Sequence, residues 1–231
     1  MSIDTRLRTI SDMLIKGKPA ADIGADHALL SIYIIEKNIV PGVIVGELPD
    51  GPFKRACYAV ENSSFKGRIE VRQGNGLQVL DKGEVENVII AGMGGETIVN
   101  ILSCDWEKAR SYLRYVFQPM SRPQVLRREL SFRGWPILDE RIVKEKNVYY
   151  VIISSCPGSI QYKLSALELE VGPVILRTES ELKKEYLERH LNKFYTIFNS
   201  LINSRNAEDG ILKAYRRLIE ELEVIMDAGK S

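Results

Sequence analysis

The chain has 231 residues, 45% hydrophobic and 27% charged, with 32 Lys/Arg against 31 Asp/Glu and a net charge of +1. That composition excludes a disordered chain, and a near-neutral charge confines any nucleic-acid surface to a local patch. The length suits one domain, or one domain with an appendage, and is enough to bury a sizeable core.

Taken in order, Met1 to Lys18 carries Ile3, Leu7, Ile10 and Leu14 at helical spacing, with Asp4 and Asp12 among them. This predicts an amphipathic helix and not a signal peptide. No window has the length of an apolar membrane span. Cys57, Cys104 and Cys156 lie far apart, and His27 and His190 are the only histidines. A zinc site and a disulfide framework are both disfavoured, and the thiols fit a reducing cytoplasm.

Residues 20–28 read as a short buried strand, a tight turn at Gly24 and the start of a helix that stops near Asn38. Asp22, Asp26 and His27 then fall at the carboxyl end of that strand, where open α/β sheets bind ligands. Asp26 has the alternative use of capping the helix. A second strand, Val43 to Glu47, ends in an acid. Asp50 is expected as N-cap of the next helix, with Pro52 in its first turn and Phe53, Ala56, Cys57 and Val60 on its apolar face.

Ile69 to Arg72 forms a third strand before Gly74-Asn75-Gly76. Val88 to Ala91 is a buried fourth strand, with Gly92-Met93-Gly94-Gly95 at its carboxyl end and a helix after it. Leu113 to Phe117 is a fifth strand, closed by Gln118-Pro119. A helix runs from Ser121 and Pro123 to Arg133. Trp135 to about Val143 and Val148 to Ser155 are separated only by Lys144 to Asn147, so they form an antiparallel hairpin. Alternating strand and helix over 20–133 implies parallel strands joined by right-handed crossovers.

Residues 157–177 are transitional. Beyond them Leu187, Leu191, Phe194, Phe198 and Leu201 are spaced 4, 3, 4, 3, and Ile211, Tyr215, Leu218, Leu222 and Ile225 repeat the spacing. The two stripes, broken at Asn206 to Gly210, predict an antiparallel helical hairpin. The fold expected is therefore α/β: a Rossmann-like, mostly parallel sheet of the class I methyltransferase type ending in an antiparallel hairpin, followed by helices. The domains are 1–157 and 158–231.

Four polar or glycine clusters close successive strands, and a parallel sheet brings them to one edge. Glu47 lies 23 residues after Gly24; an acid there can accept from both ribose hydroxyls of an adenosine. Asn75 can read an adenine edge, or serve only as a turn residue. Met93 can pack on a base, or belong to the core. There is no Gly-x-Gly-x-x-Gly, and Asp26 would repel a pyrophosphate. A phosphate-free sulfonium donor, S-adenosyl-L-methionine, tolerates these carboxylates, which favours it over NAD. Residues 108–146 hold ten Lys/Arg against four acids, a net +6. That is a solvated face or, beside a catalytic edge, a phosphate-binding one.

Asp22-Ile-Gly-Ala-Asp-His-Ala, Gly46-Glu-Leu-Pro-Asp-Gly-Pro52, Val71-Arg-Gln-Gly-Asn-Gly-Leu77 and Ala91-Gly-Met-Gly-Gly95 resemble the bacterial tRNA (adenine-N1)-methyltransferase family called TrmK, which modifies adenine 22. The resemblance spans nearly the whole chain and implies a coiled-coil-like C-terminal hairpin. It implies that Asp22, Gly24, His27, Glu47, Asp50 and Gly51, with Pro52, Asn75, Gly76 and Met93, line the S-adenosylmethionine pocket. Asp26 would lie nearest the chemistry, as the catalytic carboxylate. The partner implied is tRNA, with no metal and no membrane, and a monomer is favoured. Leu29 and Ser31 stand where the family commonly has Tyr and Pro, and Met120 where Asn commonly follows Gln-Pro. Two other readings stay open: a methyltransferase on another RNA or on protein, and a non-catalytic binder of an adenosine ligand.

Overall fold

The computed structural model describes residues 3–204 and 209–228. The chain divides into two compact units, Met1–Lys163 and Leu164–Ser231.

The first unit is built on one seven-stranded sheet. Its strands are β1 (Ala20–Ile23), β2 (Val43–Glu47), β3 (Ile69–Gln73), β4 (Asn87–Gly94), β5 (Arg114–Ser121), β6 (Ile137–Glu145) and β7 (Val148–Ser155). They lie in the order β3-β2-β1-β4-β5-β7-β6. β1 to β5 pair in parallel, and β7 inserts antiparallel between β5 and β6. The helices are α1 (Thr5–Asp12), α2 (Leu29–Glu36), α3 (Asp50–Glu61), α4 (Gly95–Ser103), α5 (Trp106–Ala109) and α6 (Pro123–Arg133).

β1 and β2 are buried at every residue, as parallel strands covered on both faces must be. Their Ala20, Val43 and Val45 join Ile10, Ile34, Ile35 and Ile89 in the core. Asn87, fully buried at the start of β4, is a polar rivet. Its Oδ1 accepts from Ile15 N at 2.7 Å and its Nδ2 donates to Ile15 O and Lys18 O, fastening the α1–β1 link beneath the sheet. α1 is capped by Asp4, whose carboxylate accepts from Leu7 N at 2.7 Å.

Four local expectations are corrected. Asp50 is the first residue of α3 and not its N-cap; Pro49 holds that place, and the Asp50 carboxylate accepts instead from Lys54 Nζ at 2.6 Å. Asp26 does not cap α2, whose N-cap is Ala28 in a left-handed conformation without a side-chain bond. Gly92-Met93-Gly94 is not a loop but the end of β4, which stays paired to β5 through two register shifts. β5 likewise runs on through Gln118 and Pro119 to Ser121 and begins at Arg114, leaving Leu113 outside it and exposed.

Residues 158–163, grouped by composition with the C-terminal part, are strapped to the first unit. Tyr162 Oη donates to Trp135 O at 2.9 Å, and Tyr162 N donates to Ser131 O at 3.2 Å.

The second unit holds α7 (Ala166–Val171), α8 (Pro173–Arg177), α9 (Lys183–Ile202) and α10 (Asp209–Ala228). Phe194 meets Tyr215 edge-on at 6.2 Å, Tyr195 Oη donates to Glu223 at 2.5 Å, and Arg216 covers the Phe198 ring. Only residues 203–208 separate these two helices of 20 residues each, so helices that meet at these pairs are antiparallel. The break expected at Asn206 to Gly210 falls largely on residues 205–208, outside the described residues; Asp209 and Gly210 already belong to α10. No helix among the described residues is long and apolar enough to cross a membrane.

Candidate active site

The carboxyl ends of β1, β2 and β4 open on a cleft of about 510 Å³. That lies within the range of roughly 300–1,000 Å³ usual for small-molecule sites. Asp22, Gly24, Asp26 and His27 from the β1 turn line it, with Glu47 and Pro52 from the β2–α3 segment and Met93 from β4. A slightly larger cavity of about 560 Å³ lies at the opposite, amino-terminal ends of β1 to β3, between Ala20, Val43 and Ile69. Ligands of open α/β sheets bind at carboxyl ends, so the smaller cleft is the candidate.

Asp22 and Glu47 are its electrostatic floor. Each residue is only 4% exposed. Burial pushes the Asp22 carboxyl up to about 6, against the opposing hydrogen bond from Ser31 and with help from the Glu47 charge. Ser31 Oγ donates to Asp22 Oδ2 at 2.8 Å. Glu47 is also raised, first by burial, while the Asp26 backbone N–H donating to its Oε1 works the other way. The nearby Arg55 charge also pulls Glu47 down, but among the described residues no salt bridge engages either carboxylate, and two buried carboxylates so placed form a receptor for a cation and for hydroxyl donors.

Asp26 sits at the mouth, half exposed, with φ of +50°. Its Oδ1 accepts from Arg55 Nε at 2.8 Å and Nη2 at 2.6 Å, and its Oδ2 lies 3.5 Å from His27 Nε2. Gly24 has φ +77°, and its N–H donates to Gly46 O at 2.8 Å, so it turns the chain off β1. Gly92, also at φ +77°, has nothing within 4 Å of where a Cβ would stand. The cleft wall there is bare backbone, which permits close approach of a ligand.

Asp50, Gly51, Asn75 and Gly76 do not line the cleft. Asp50, Gly51 and Asn75 are exposed, while Gly76 packs over Ile101. Arg6 and Leu7 of α1 do line it, as do Leu29 and Leu30. Arg6 donates from Nη1 to Oε1 of the fully buried Gln118 at 2.8 Å and from its backbone to Glu145. Half-exposed Met120 takes a contact from Gln118 Nε2 at 3.4 Å. No local signal marks Arg6, which is 112 residues from Gln118.

The basic stretch at 108–146 is largely engaged internally. Arg127 is fully buried against Glu140, Arg133 pairs with Glu129 and covers Trp106, Arg141 pairs with Asp139, and Arg122 with Glu96. Arg128 and Lys146 remain exposed. Among the described residues no group of three or more His, Cys, Asp or Glu is placed to hold a metal ion.

A sheet in this order, with its last strand inserted antiparallel and an acid-floored cleft at the parallel carboxyl ends, defines a class I S-adenosylmethionine-dependent methyltransferase. The sequence profile of one family, TrmK, tRNA (adenine(22)-N(1))-methyltransferase, matches residues 20–224. The chain belongs to that family. It is 30% identical over 99% of both chains to the tRNA (adenine(22)-N(1))-methyltransferase of Bacillus subtilis strain 168. The crystal structure of the B. subtilis M1A22 tRNA methyltransferase TrmK matches with a TM-score of 0.86 at 29% identity, covering 97% of this chain and 99% of that one. A Streptococcus pneumoniae protein solved in complex with S-adenosyl-L-methionine matches with a TM-score of 0.84 at 28% identity, over 97% and 100%.

Proposed function

We propose that this chain transfers a methyl group from S-adenosyl-L-methionine to N1 of adenine 22 in tRNA. The observation that carries the reading is the convergence of Asp22, Glu47 and Asp26 on one cleft in a chain of this family. The donor fits the residues present: it carries positive charge and ribose hydroxyls but no phosphate, and the cleft floor is two buried carboxylates. When bound, it supplies an electrophilic methyl group.

Asp22 would hold the cationic end of the donor. Glu47 spends one carboxylate oxygen on the Asp26 amide and has a second with which to accept from the ribose. The bare Gly92 backbone and Met93 would lie against the flat or apolar parts. Of the remaining family positions, His27 and Pro52 line the same cleft. Asp50 and Gly51 open α3 and Asn75 and Gly76 follow β3, outside that lining.

Adenine N1 has an in-plane lone pair at neutral pH, so attack needs no strong base. The protein's work is alignment of N1 with the methyl group at near-contact distance. N1 lies on the Watson–Crick edge, so the base must be unpaired or turned out of its helix. The methylated ring is cationic. Asp26, at the mouth, would stabilise that charge or take a proton from the 6-amino group. Leu7, Leu29 and Leu30 give this end of the cleft an apolar wall. We place the reaction in the cytoplasm, since the free thiols of Cys57, Cys104 and Cys156 suit a reducing compartment.

Incubation of unmodified tRNA transcripts with the protein and the donor, followed by nucleoside mass analysis, tests the reading. 1-Methyladenosine should appear, and should vanish from a transcript with guanine at position 22. Methylation of rRNA or protein but not tRNA would overturn the substrate assignment.

A further inference from the structure

Asp26 and Arg55 are 29 positions apart in sequence, yet the guanidinium grips one carboxylate oxygen through both Nε and Nη2. The carboxylate at the cleft mouth is thus turned to a cation. We propose that Arg55 couples tRNA docking to the readiness of Asp26. When the tRNA binds, the guanidinium exchanges Asp26 for a backbone phosphate, and the freed carboxylate turns to the target base. This rests on the tRNA reading above.

Four observations support the exchange. The pair is half exposed on both sides, 47% for Arg55 and 51% for Asp26, and ion pairs at that exposure are screened and weak. Both donors converge on a single oxygen, whereas a phosphate offers the planar fork two oxygens in a charge-assisted bidentate contact. Arg55 stands one turn after Pro52 on α3, and Pro52 lines the cleft. Residues three apart share a helix face, so the guanidinium is carried at the rim that an entering nucleotide must pass. Finally, the Asp26 backbone is pinned by its N–H to Glu47, while its half-exposed carboxylate is held by the side chains of Arg55 and His27. The side chain can therefore swing without moving the cofactor floor.

The alternative is a plain clamp that holds α3 to the β1 turn. The two differ in how tRNA binding responds to each partner. The test measures affinity for unmodified tRNA transcript with the full chain saturated in S-adenosylhomocysteine, for wild type, Asp26→Ala, Arg55→Gln and the double variant. Melting temperature is recorded for each, and Arg55→Lys serves as the variant that keeps the charge without the fork.

Asp26→Ala should tighten tRNA binding at least threefold, because it liberates Arg55. Arg55→Gln should weaken it at least threefold and lower the slope of log affinity against log salt by about one. The double variant should bind like Arg55→Gln, and Arg55→Lys should fall between wild type and Arg55→Gln. A gain from Asp26→Ala that persists in the double variant is mere removal of a negative charge and overturns the exchange. So does an Arg55→Gln variant with unchanged affinity and slope. Failure of the wild type to bind any tRNA overturns the substrate reading itself, whereas binding indifferent to Arg55 overturns this inference alone.

Discussion

Gly24 and Met93 meet across the seam between β1 and β4: a Cβ on Gly24 would stand 2.1 Å from Met93 Cε. Since Gly24 also has φ +77°, its replacement carries two costs, backbone strain and displacement of the methionine into the cleft. Gly24→Ala should lower stability by about 1–3 kcal/mol and weaken S-adenosylhomocysteine binding at least tenfold by calorimetry. Adding Met93→Ala should recover part of the affinity lost to crowding, but little of the stability, because the strain at φ +77° remains. No recovery of affinity would show that the crowding is not the cause.

Asp22 makes the pH behaviour predictable. Its carboxyl is raised to about 6 from 3.8, so the folded state holds a proton that the unfolded state releases earlier. The penalty is therefore absent below the unfolded value and complete above the folded one. Across that interval it amounts to at most about 3 kcal/mol. Asp22→Asn should melt higher than wild type at pH 8, with the gap closing toward pH 4. Donor affinity should move oppositely: in wild type it should fall as pH drops through about 6, and in Asp22→Asn it should be low and flat. A wild-type affinity independent of pH from 5 to 8 would remove Asp22 from the cation site.

Asp26 is predicted to act on the reaction and not on the donor. Asp26→Ala should bind S-adenosylhomocysteine within about threefold of wild type while losing about 10²-fold or more in single-turnover methylation. Near-normal turnover would refute the role.

Arg127 belongs to the sequence's most basic stretch, yet it is sealed against Glu140 with neither side chain exposed. Its charge serves the fold. Removing one member of such a pair leaves the other buried and uncompensated, so Glu140→Gln should cost about 3–5 kcal/mol, read by urea denaturation. Arg128→Ala, at an exposed position on the same helix, should change stability by less than about 0.5 kcal/mol. Equal losses would mean that Arg127 is not specially buried.

Much of this is legible in the chain because central parallel strands write themselves as short apolar runs, and four of the five runs here end in glycine or an acid, the fifth in Gln118-Pro119. The antiparallel hairpin showed in the four-residue gap between Val143 and Val148. What could not be read were meetings between distant residues. Arg55 on Asp26, Arg6 on Gln118 and Glu140 on Arg127 each join side chains that no periodicity relates. The end of β4 is not legible because glycines normally signal turns, whereas here register shifts against Pro119 and Ser121 keep Gly92 to Gly94 in the sheet. Ser31 had no motif to mark it; only the fold brings its hydroxyl to Asp22.

The central claim is that the carboxyl-end cleft holds the methyl donor. Calorimetric titration of S-adenosylhomocysteine into wild type, Glu47→Gln and Lys66→Ala tests it most directly, since Lys66 lines the other cavity. Binding at one site per chain, weakened at least tenfold by Glu47→Gln and untouched by Lys66→Ala, is the predicted result. No binding to the wild type, or a loss at Lys66 with none at Glu47, would contradict the account.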